Sequence, residues 1–163
     1  MSNYVINVGD LIIDSEQIHV VSKIENDRIF YYPFEKDSTK GNCTSSTPLS
    51  NFSKADVRPI LTKTEIKEFL KKLSNEEPLE IPEFTNRNNN SNSLKEILYL
   101  NDPIKTGRLL IYFIRHQTAE TPLSRFDQSI YEQALLHLAQ EISTVTDTTI
   151  DAAKKQILSV IKK

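Results

Sequence analysis

The sequence predicts an α+β protein in which a small N-terminal β-barrel precedes a C-terminal all-α helical bundle. Short runs of β-branched and aromatic residues fill positions 1–60, as in pleated, half-buried strands. Beyond that point, apolar residues recur at the spacing of helices. Because 163 residues suffice for two small domains, we divide the chain into a strand module (1–60), a connecting helix (61–75), a polar hinge (76–93) and a helical domain (94–163).

The strand module is predicted from four stretches of sequence. The runs DLIID, IHVVSKI and RIFYYPF each have the composition of a strand, and DSTKGNCTSST has that of a turn leading into a further strand. Between the second and third runs, Glu25-Asn26-Asp27 is a polar turn typical of a hairpin. Several short strands in so short a module indicate a small barrel that closes its own edges.

A first helix is predicted immediately after the strand module. Thr62 and Glu65 fit a capping box, in which the hydroxyl accepts from a backbone N–H and the carboxylate reaches back. The apolar residues that follow at helical spacing are Ile66, Phe69, Leu70 and Leu73. The two prolines of SNEEPLEIPEFT end this helix, and the polar stretch after them is interpreted as the hinge.

Beyond the hinge, the local signals are helical. Ser93 and Glu96 form a second capping box, Asp102-Pro103 combines a cap with a proline at the first helical position, and Ser124 is a candidate cap for the next helix. The expected buried face of that helix consists of Phe126, Ile130, Ala134, Leu135, Leu138 and Ile142, and that of the last helix of Ile150, Ala153, Ile157 and Ile161.

The sequence gives no indication of catalytic or cofactor chemistry. Cys43 is the one cysteine, so neither an intrachain disulfide nor a thiolate metal site can form. Three glycines are too few for a phosphate-binding loop. The three histidines are far apart and have no ligand spacing: His19, His116 and His137. We therefore expect no enzyme activity, no metal and no cofactor.

Charge and hydropathy restrict the setting and the partners. The net charge of −2 gives no global case for nucleic acid. Positions 94–163 carry nine basic and eight acidic residues, against eleven and fourteen in positions 1–93, so the helical domain is only slightly more basic. The first ten residues do not have the pattern of a signal peptide, and no apolar run approaches the roughly 20 residues of a membrane span. We expect a cytoplasmic location and no membrane partner.

Four motifs in order give the chain a family resemblance. They are YVINVGDLII, TPLSNFSKADVRPILTKTEIKEFLKKL, LKEILYLNDPIKTGRLLIYFIRH and LSRFDQSIYEQALLHLAQEI. Together with the change from strands to helices, they resemble the CarD/CdnL-like bacterial transcription regulators. The resemblance implies a Tudor/SH3-like barrel that binds the RNA polymerase β subunit and a helical domain that touches promoter DNA and stabilises the open complex. We also expect the protein to be a monomer.

The resemblance assigns two sets of contact residues. The polymerase-binding set, on the docking strands, is Arg28, Tyr31, Phe34, Ser46 and Thr47. The DNA-binding set is Phe84, Asn86, Arg87, Lys95 and Arg125. In the family, an aromatic wedge enters the minor groove beside basic residues that hold phosphates.

The contact residues depart from the family pattern more than the framework does. The chain has no tryptophan, the wedge position falls near Asn86, and Phe84 is the nearest aromatic residue. Arg87 is followed by asparagines where the family has a second basic residue, and Ser46-Thr47 stands where members often carry an arginine. The sequence therefore predicts weakened or altered contact with DNA. An alternative is a protein-interaction adaptor that keeps the scaffold and has no promoter activity.

Overall fold

The computed structural model describes residues 6–14, 17–34, 45–49, 57–78, 96–98, 102–117 and 122–161. The chain divides into two compact units, Met1–Ile60 and Leu61–Lys163. The first holds strands and the second holds helices, so the predicted α+β class is confirmed.

The first unit contains an antiparallel five-stranded sheet. Its strands are β1 (Leu11–Asp14), β2 (Gln17–Glu25), β3 (Arg28–Pro33), β4 (Ser45–Pro48) and β5 (Val57–Pro59). They lie in the order β4-β3-β2-β1-β5, and the sheet is curled. Neighbours in the chain are neighbours in the sheet, except that β5 returns to pair with β1. Four of these strands lie in the stretches that the sequence predicted, whereas β5 was not predicted. The described strands form an open, curled sheet and not the barrel closing its own edges that the sequence analysis expected.

The predicted hairpin turn joins β2 to β3. Glu25 pairs with Arg28, and the two residues between them, Asn26 and Asp27, have φ angles of 52° and 60°. Two successive left-handed residues define a type I′ turn, whose twist matches that of the flanking strands. Asn and Asp tolerate this conformation better than other residues with a side chain. The polar turn of the sequence is thus confirmed.

One face of the sheet forms the core of the first unit. Its buried residues are Ile12, Val21, Ile29, Tyr31 and Val57. A β-bulge between Val21 and Lys23 gives β2 one extra residue, Ser22, whose Oγ donates to the carbonyl of Phe30 at 3.1 Å. Bulges bend a strand and increase its twist, which suits a curled sheet.

The second unit is built from α1 (Lys63–Leu73), α2 (Pro103–His116), α3 (Arg125–Thr146) and α4 (Ile150–Ile161); residues 96–98 are also helical. Three of the described caps are those that the sequence predicted, whereas Thr149, whose Oγ1 accepts from Ala152 N at 3.1 Å at the start of α4, was not predicted. Thr62 and Glu65 form the reciprocal capping box, Asp102 accepts from Ile104 N at 3.0 Å, and the Ser124 side chain accepts from Asp127 N. Ser93 lies outside the described residues.

The helices of this unit share one apolar core. All four apolar residues predicted for α1 are buried in this core. Helix α1 is therefore packed as part of the second unit. Glu141 of α3, also buried, accepts a hydrogen bond from Leu61 N at 2.9 Å, just before α1 begins. At Gly107 a Cβ would lie 2.5 Å from Leu73 Cδ1, so the missing side chain lets α2 approach α1 closely.

Two residues expected in the apolar core are exposed instead. Phe126 is 44% exposed and Ile150 is 38% exposed. Both lie in the first turn of their helices, where the apolar stripe continues beyond the buried core. The prediction that Phe126 is buried was therefore wrong, because periodicity shows which residues share a helix face but not how far the covering elements extend.

Candidate functional site

The exposed edge of β4 is the strongest candidate for a binding site. Among the described residues, β4 pairs with β3 on one side only, and β5 occupies the opposite end of the sheet. Ser45 and Ser46 of β4 are exposed, whereas every residue of β5 is buried or half-buried. A strand edge of this kind presents backbone donors and acceptors to which an extended segment of another protein can pair.

The hydrogen-bond pattern identifies the backbone groups that face outward from β4. Leu49 N donates to Asp27 O at 2.8 Å, and Ile29 pairs with Thr47 two residues further along. Antiparallel strands alternate, so the backbone of Thr47 faces β3 and that of Ser46 faces away from it. Ser46 therefore offers both an N–H and a C=O at the edge, while Pro48 offers only a C=O.

The side chains beside this edge are cationic and aromatic. Arg28 is exposed, and its Nη2 donates to Ser46 Oγ at 3.0 Å. Phe30 lies opposite Ser46, and Lys23 Nζ lies 5.8 Å from the centre of its ring. Lys23 also forms an exposed ion pair with Glu25. We call β4 together with Arg28 and Phe30 the docking edge.

Tyr31 lies on the core face of the sheet and not on the docking edge. Its side chain is 4% exposed, its hydroxyl donates to Asp14 Oδ2 at 2.5 Å, and its ring packs edge-on against His19. Burial, followed by the hydrogen bond to Asp14 and the charge of that carboxylate, raises the pKa of Tyr31 well above its usual range. Its place indicates a structural role in β3.

Two other residues of the polymerase-binding set have intermediate exposure. Thr47 pairs with buried Ile29 and shares its face of the sheet, so it contributes to β4 mainly by pairing with β3. Phe34 follows β3, and its N–H donates to Ile18 O at 2.9 Å, which continues the pairing with β2 by one residue. Of the five residues in the set, Arg28 and Ser46 are thus the two that are both exposed and adjacent.

Phe30 and Tyr32 were not singled out from the sequence. Side chains alternate along a strand, so burial of Ile29 and Tyr31 places Arg28, Phe30 and Tyr32 on the opposite face. Both aromatic rings have intermediate exposure. The alternation within RIFYY could have predicted these positions. If Ile29 faces the core, Tyr31 must lie on the same face, and Phe30 and Tyr32 on the other.

Most of the predicted DNA-binding set lies outside the described residues. This applies to Phe84, Asn86, Arg87 and Lys95. Arg125 is described: it is exposed and is the first residue of α3, next to the exposed Phe126. A cation is disfavoured at the positive end of a helix dipole, so Arg125 does not stabilise its own helix through charge. Its position leaves the guanidinium accessible to an anionic partner.

Two arginines of α2 are engaged by acidic residues and a carbonyl within the second unit. Arg108 Nε donates to Glu77 O at 3.2 Å, and Arg115 Nη1 lies 3.5 Å from Glu77 Oε2. Arg108 Nε also lies 3.9 Å from Glu76 Oε2. The two arginines, two turns apart on α2, therefore hold the segment just after α1. The structure thus gives Arg108 and Arg115 a structural role that the sequence alone did not indicate.

The junction of α2 and α3 is aromatic. The rings of Tyr112 and His116 lie 4.2 Å apart, and His116 Nδ1 donates to Tyr112 O at 2.8 Å. Burial, and then the nearby Asp127 carboxylate, raise the pKa of Tyr112. The ring contact and the hydrogen bond lie within α2, whereas the rings of Phe113 and Tyr131, with centroids 6.3 Å apart, join α2 to α3.

Neither a metal site nor a membrane-spanning helix is found in the part of the chain that the structure describes. The described residues contain no group of three or more metal-binding side chains, and no helix among them is long and apolar enough to cross a membrane. No protein-family model and no curated protein matches the chain. The feature of the described residues on which a function can be based is the docking edge, a strand edge that can bind another polypeptide through main-chain hydrogen bonds.

Proposed function

We propose that this protein is a bacterial transcription regulator of the CarD/CdnL-like type, which binds the RNA polymerase β subunit and stabilises promoter open complexes in the cytoplasm. In this proposal the first unit is the Tudor/SH3-like barrel, and the second unit touches promoter DNA weakly and without sequence specificity. The docking edge is the observation that carries the proposal, since it offers the outward Ser46 backbone beside Arg28.

Strand pairing supports this mode of binding. A segment added beside β4 would accept from Ser46 N–H and donate to Ser46 C=O, and main-chain hydrogen bonds of this kind supply affinity. Arg28 would supply selectivity for an acidic group, while Phe30 would supply apolar contact. No cofactor or metal takes part in this mechanism.

The DNA contact is proposed to be weak for electrostatic reasons. Positions 94–163 carry nine basic residues against eight acidic ones, and Arg108 and Arg115 already have acidic neighbours. Few phosphates can then be neutralised, so binding to duplex DNA alone depends only slightly on salt. Arg125 is the described residue that we propose to contact the phosphate backbone.

An open-complex assay tests the proposal. Preformed complexes of bacterial RNA polymerase and a promoter are challenged with competitor DNA, with and without the protein, and their lifetime is measured. The proposal predicts a longer lifetime at saturating protein. An unchanged lifetime, with no binding to the polymerase, would contradict it.

The same observations support an interaction adaptor as a second candidate. The docking edge can bind another polypeptide by strand pairing, which requires no contact with DNA. The chain also has no tryptophan, the residue that would serve as the DNA wedge, and this favours the adaptor. Binding of the polymerase or another protein through β4, with the promoter lifetime unchanged, would identify the adaptor.

A further inference from the structure

A groove between α1 and α4 forms a second candidate surface, located entirely in the second unit. Its volume is about 360 Å³, and its lining residues are Lys67, Leu70, Lys71, Ser74, Gln156 and Val160. Both helices run along the groove, so its two walls are fixed by the packing of Leu70 and Ile157 into the core.

The floor of the groove is apolar, and one rim is cationic. Leu70 and Val160 form the apolar part, while Lys67 and Lys71 lie one turn apart on α1 and are exposed. Lys63 extends the same row by a further turn. At the end of the groove, Ser74 Oγ donates to Lys71 O at 2.6 Å, which leaves the hydroxyl oxygen as an acceptor.

The lysines of this rim are not neutralised by the ion pairs of the described residues. Those pairs join Lys23, Arg108 and Arg115 to glutamates at other places. The rim therefore presents two lysines spaced about 6 Å apart along the helix axis, the rise of four residues, beside an apolar surface. Anionic groups at the same spacing on a partner would match it.

From this combination we propose that the groove binds an acidic amphipathic helix of a partner protein. One apolar side chain of the partner sits on Leu70 and Val160, and its carboxylates pair with Lys67 and Lys71. This is helix-in-groove recognition, in which apolar anchors give affinity and flanking charges give orientation. Duplex DNA would complement the lysines but has no apolar side chain to fill the groove.

The proposal is independent of the docking edge, because it uses residues of a different unit. If the polymerase does not bind β4, the groove proposal still stands, and the reverse also holds. The two surfaces together would let the protein join two partners.

A titration followed by methyl NMR tests the groove directly on the full chain. The probe is a synthetic acidic helix of about 15 residues, the length at which isolated helices become stable, with leucine at every third or fourth position among glutamates. A second peptide carries alanine in place of leucine. We expect the leucine peptide to shift the methyl signals of Leu70 and Val160 and the alanine peptide to leave them unchanged.

Charge variants provide the matched comparison. Lys71→Glu is expected to weaken binding of the leucine peptide about tenfold, which corresponds to about 1.4 kcal/mol. Lys105→Glu makes the same charge change at an exposed position of α2 and is expected to retain wild-type affinity. Thermal unfolding of both variants verifies that each is folded.

Three results would overturn the proposal. One is the absence of methyl shifts at Leu70 and Val160 with the leucine peptide. Another is equal weakening by Lys71→Glu and Lys105→Glu, which would show a general charge effect. The third is a short DNA duplex that perturbs Lys67 and Lys71 while the leucine peptide does not, which would make the rim a nucleic-acid contact.

Discussion

Tyr31 illustrates how the position of one residue in a strand determines its role. Its ring lies on the core face with Ile12 and Val21, and its hydroxyl reaches across the sheet to Asp14. A buried polar group is costly unless it is hydrogen-bonded, so this contact is part of the stability of the first unit. Arg28 and Phe30, which alternate with it along β3, lie on the opposite face of the sheet.

Substitution of Tyr31 by phenylalanine tests that role. Tyr31→Phe removes the donor to Asp14, and we expect a loss of about 1–3 kcal/mol in the free energy of unfolding at neutral pH. Urea denaturation measures it. Tyr32→Phe, on the outer face, is the matched control and is expected to change stability little. Equal effects of the two substitutions would contradict the assignment.

The same variant has a predicted pH dependence. Because the pKa of Tyr31 is raised in the folded state, its contribution is fully present below the unfolded pKa of about 10 and is lost as pH rises above it. Stability of the wild-type protein should therefore change little between neutral pH and about pH 9 and fall as the pH rises above about 10, less steeply in Tyr31→Phe. Tyr112 and Tyr131, whose pKa values burial also raises, account for the remaining decline.

The turn between β2 and β3 provides a second test at single residues. At the φ of 60° that Asp27 adopts, glycine has no steric cost and alanine has one. We expect Asp27→Gly to be the most stable, the wild type to be intermediate and Asp27→Ala to be the least stable. The free energies of unfolding of the glycine and alanine variants should differ by about 1 kcal/mol. Chemical denaturation at pH 7 gives the order; an alanine variant as stable as the glycine variant would exclude the type I′ turn.

At the scale of elements, one buried carboxylate links two helices. Glu141 of α3 is 2% exposed and accepts from Leu61 N, which precedes α1. We predict that Glu141→Ala lowers stability by about 1–3 kcal/mol, because it leaves a backbone donor without this acceptor. Glu141→Gln keeps an acceptor oxygen and should lose less. Glu68→Ala, at an exposed position of α1, is the control.

The helix caps could be predicted from sequence, whereas the links between elements could not. Thr62 with Glu65, Asp102 and Ser124 act within three residues of their partners, so local sequence specifies them. Glu141 and Leu61 are 80 residues apart, and their contact depends on how α1 packs. No local pattern encodes such a contact.

The candidate site could be predicted only in part, because local sequence specifies its strands but not their arrangement in the sheet. Sequence identified the strand that carries Arg28 and its neighbour that carries Ser46, but not which face each aromatic residue of β3 occupies. Alternation within RIFYY places Tyr31 on the same face as Ile29, but the sequence alone does not show which of the two alternating sets faces the core. The residues assigned to the DNA wedge lie outside the described part of the chain, so their role stays a prediction.

At the scale of the whole molecule, the small charge excess of the helical domain predicts limited DNA contact. Arg125→Glu should shorten the lifetime of the open complex relative to wild type while leaving polymerase affinity unchanged. Lys155→Glu makes the same charge change at an exposed position of α4 and should have little effect on that lifetime. Competitor-challenge kinetics separates the two; equal effects would indicate that only net charge matters.

The affinity of the full chain for bacterial RNA polymerase is the most direct test of the central claim, that β4 docks the protein on the β subunit. Ser46→Pro removes the outward N–H and Ser46→Ala keeps it, while both remove the hydroxyl bonded to Arg28. Biolayer interferometry should show binding by the wild type, nearly unchanged affinity for Ser46→Ala and at least about tenfold weaker binding for Ser46→Pro. No binding by the wild type, or equal affinity of the two folded variants, would contradict the claim.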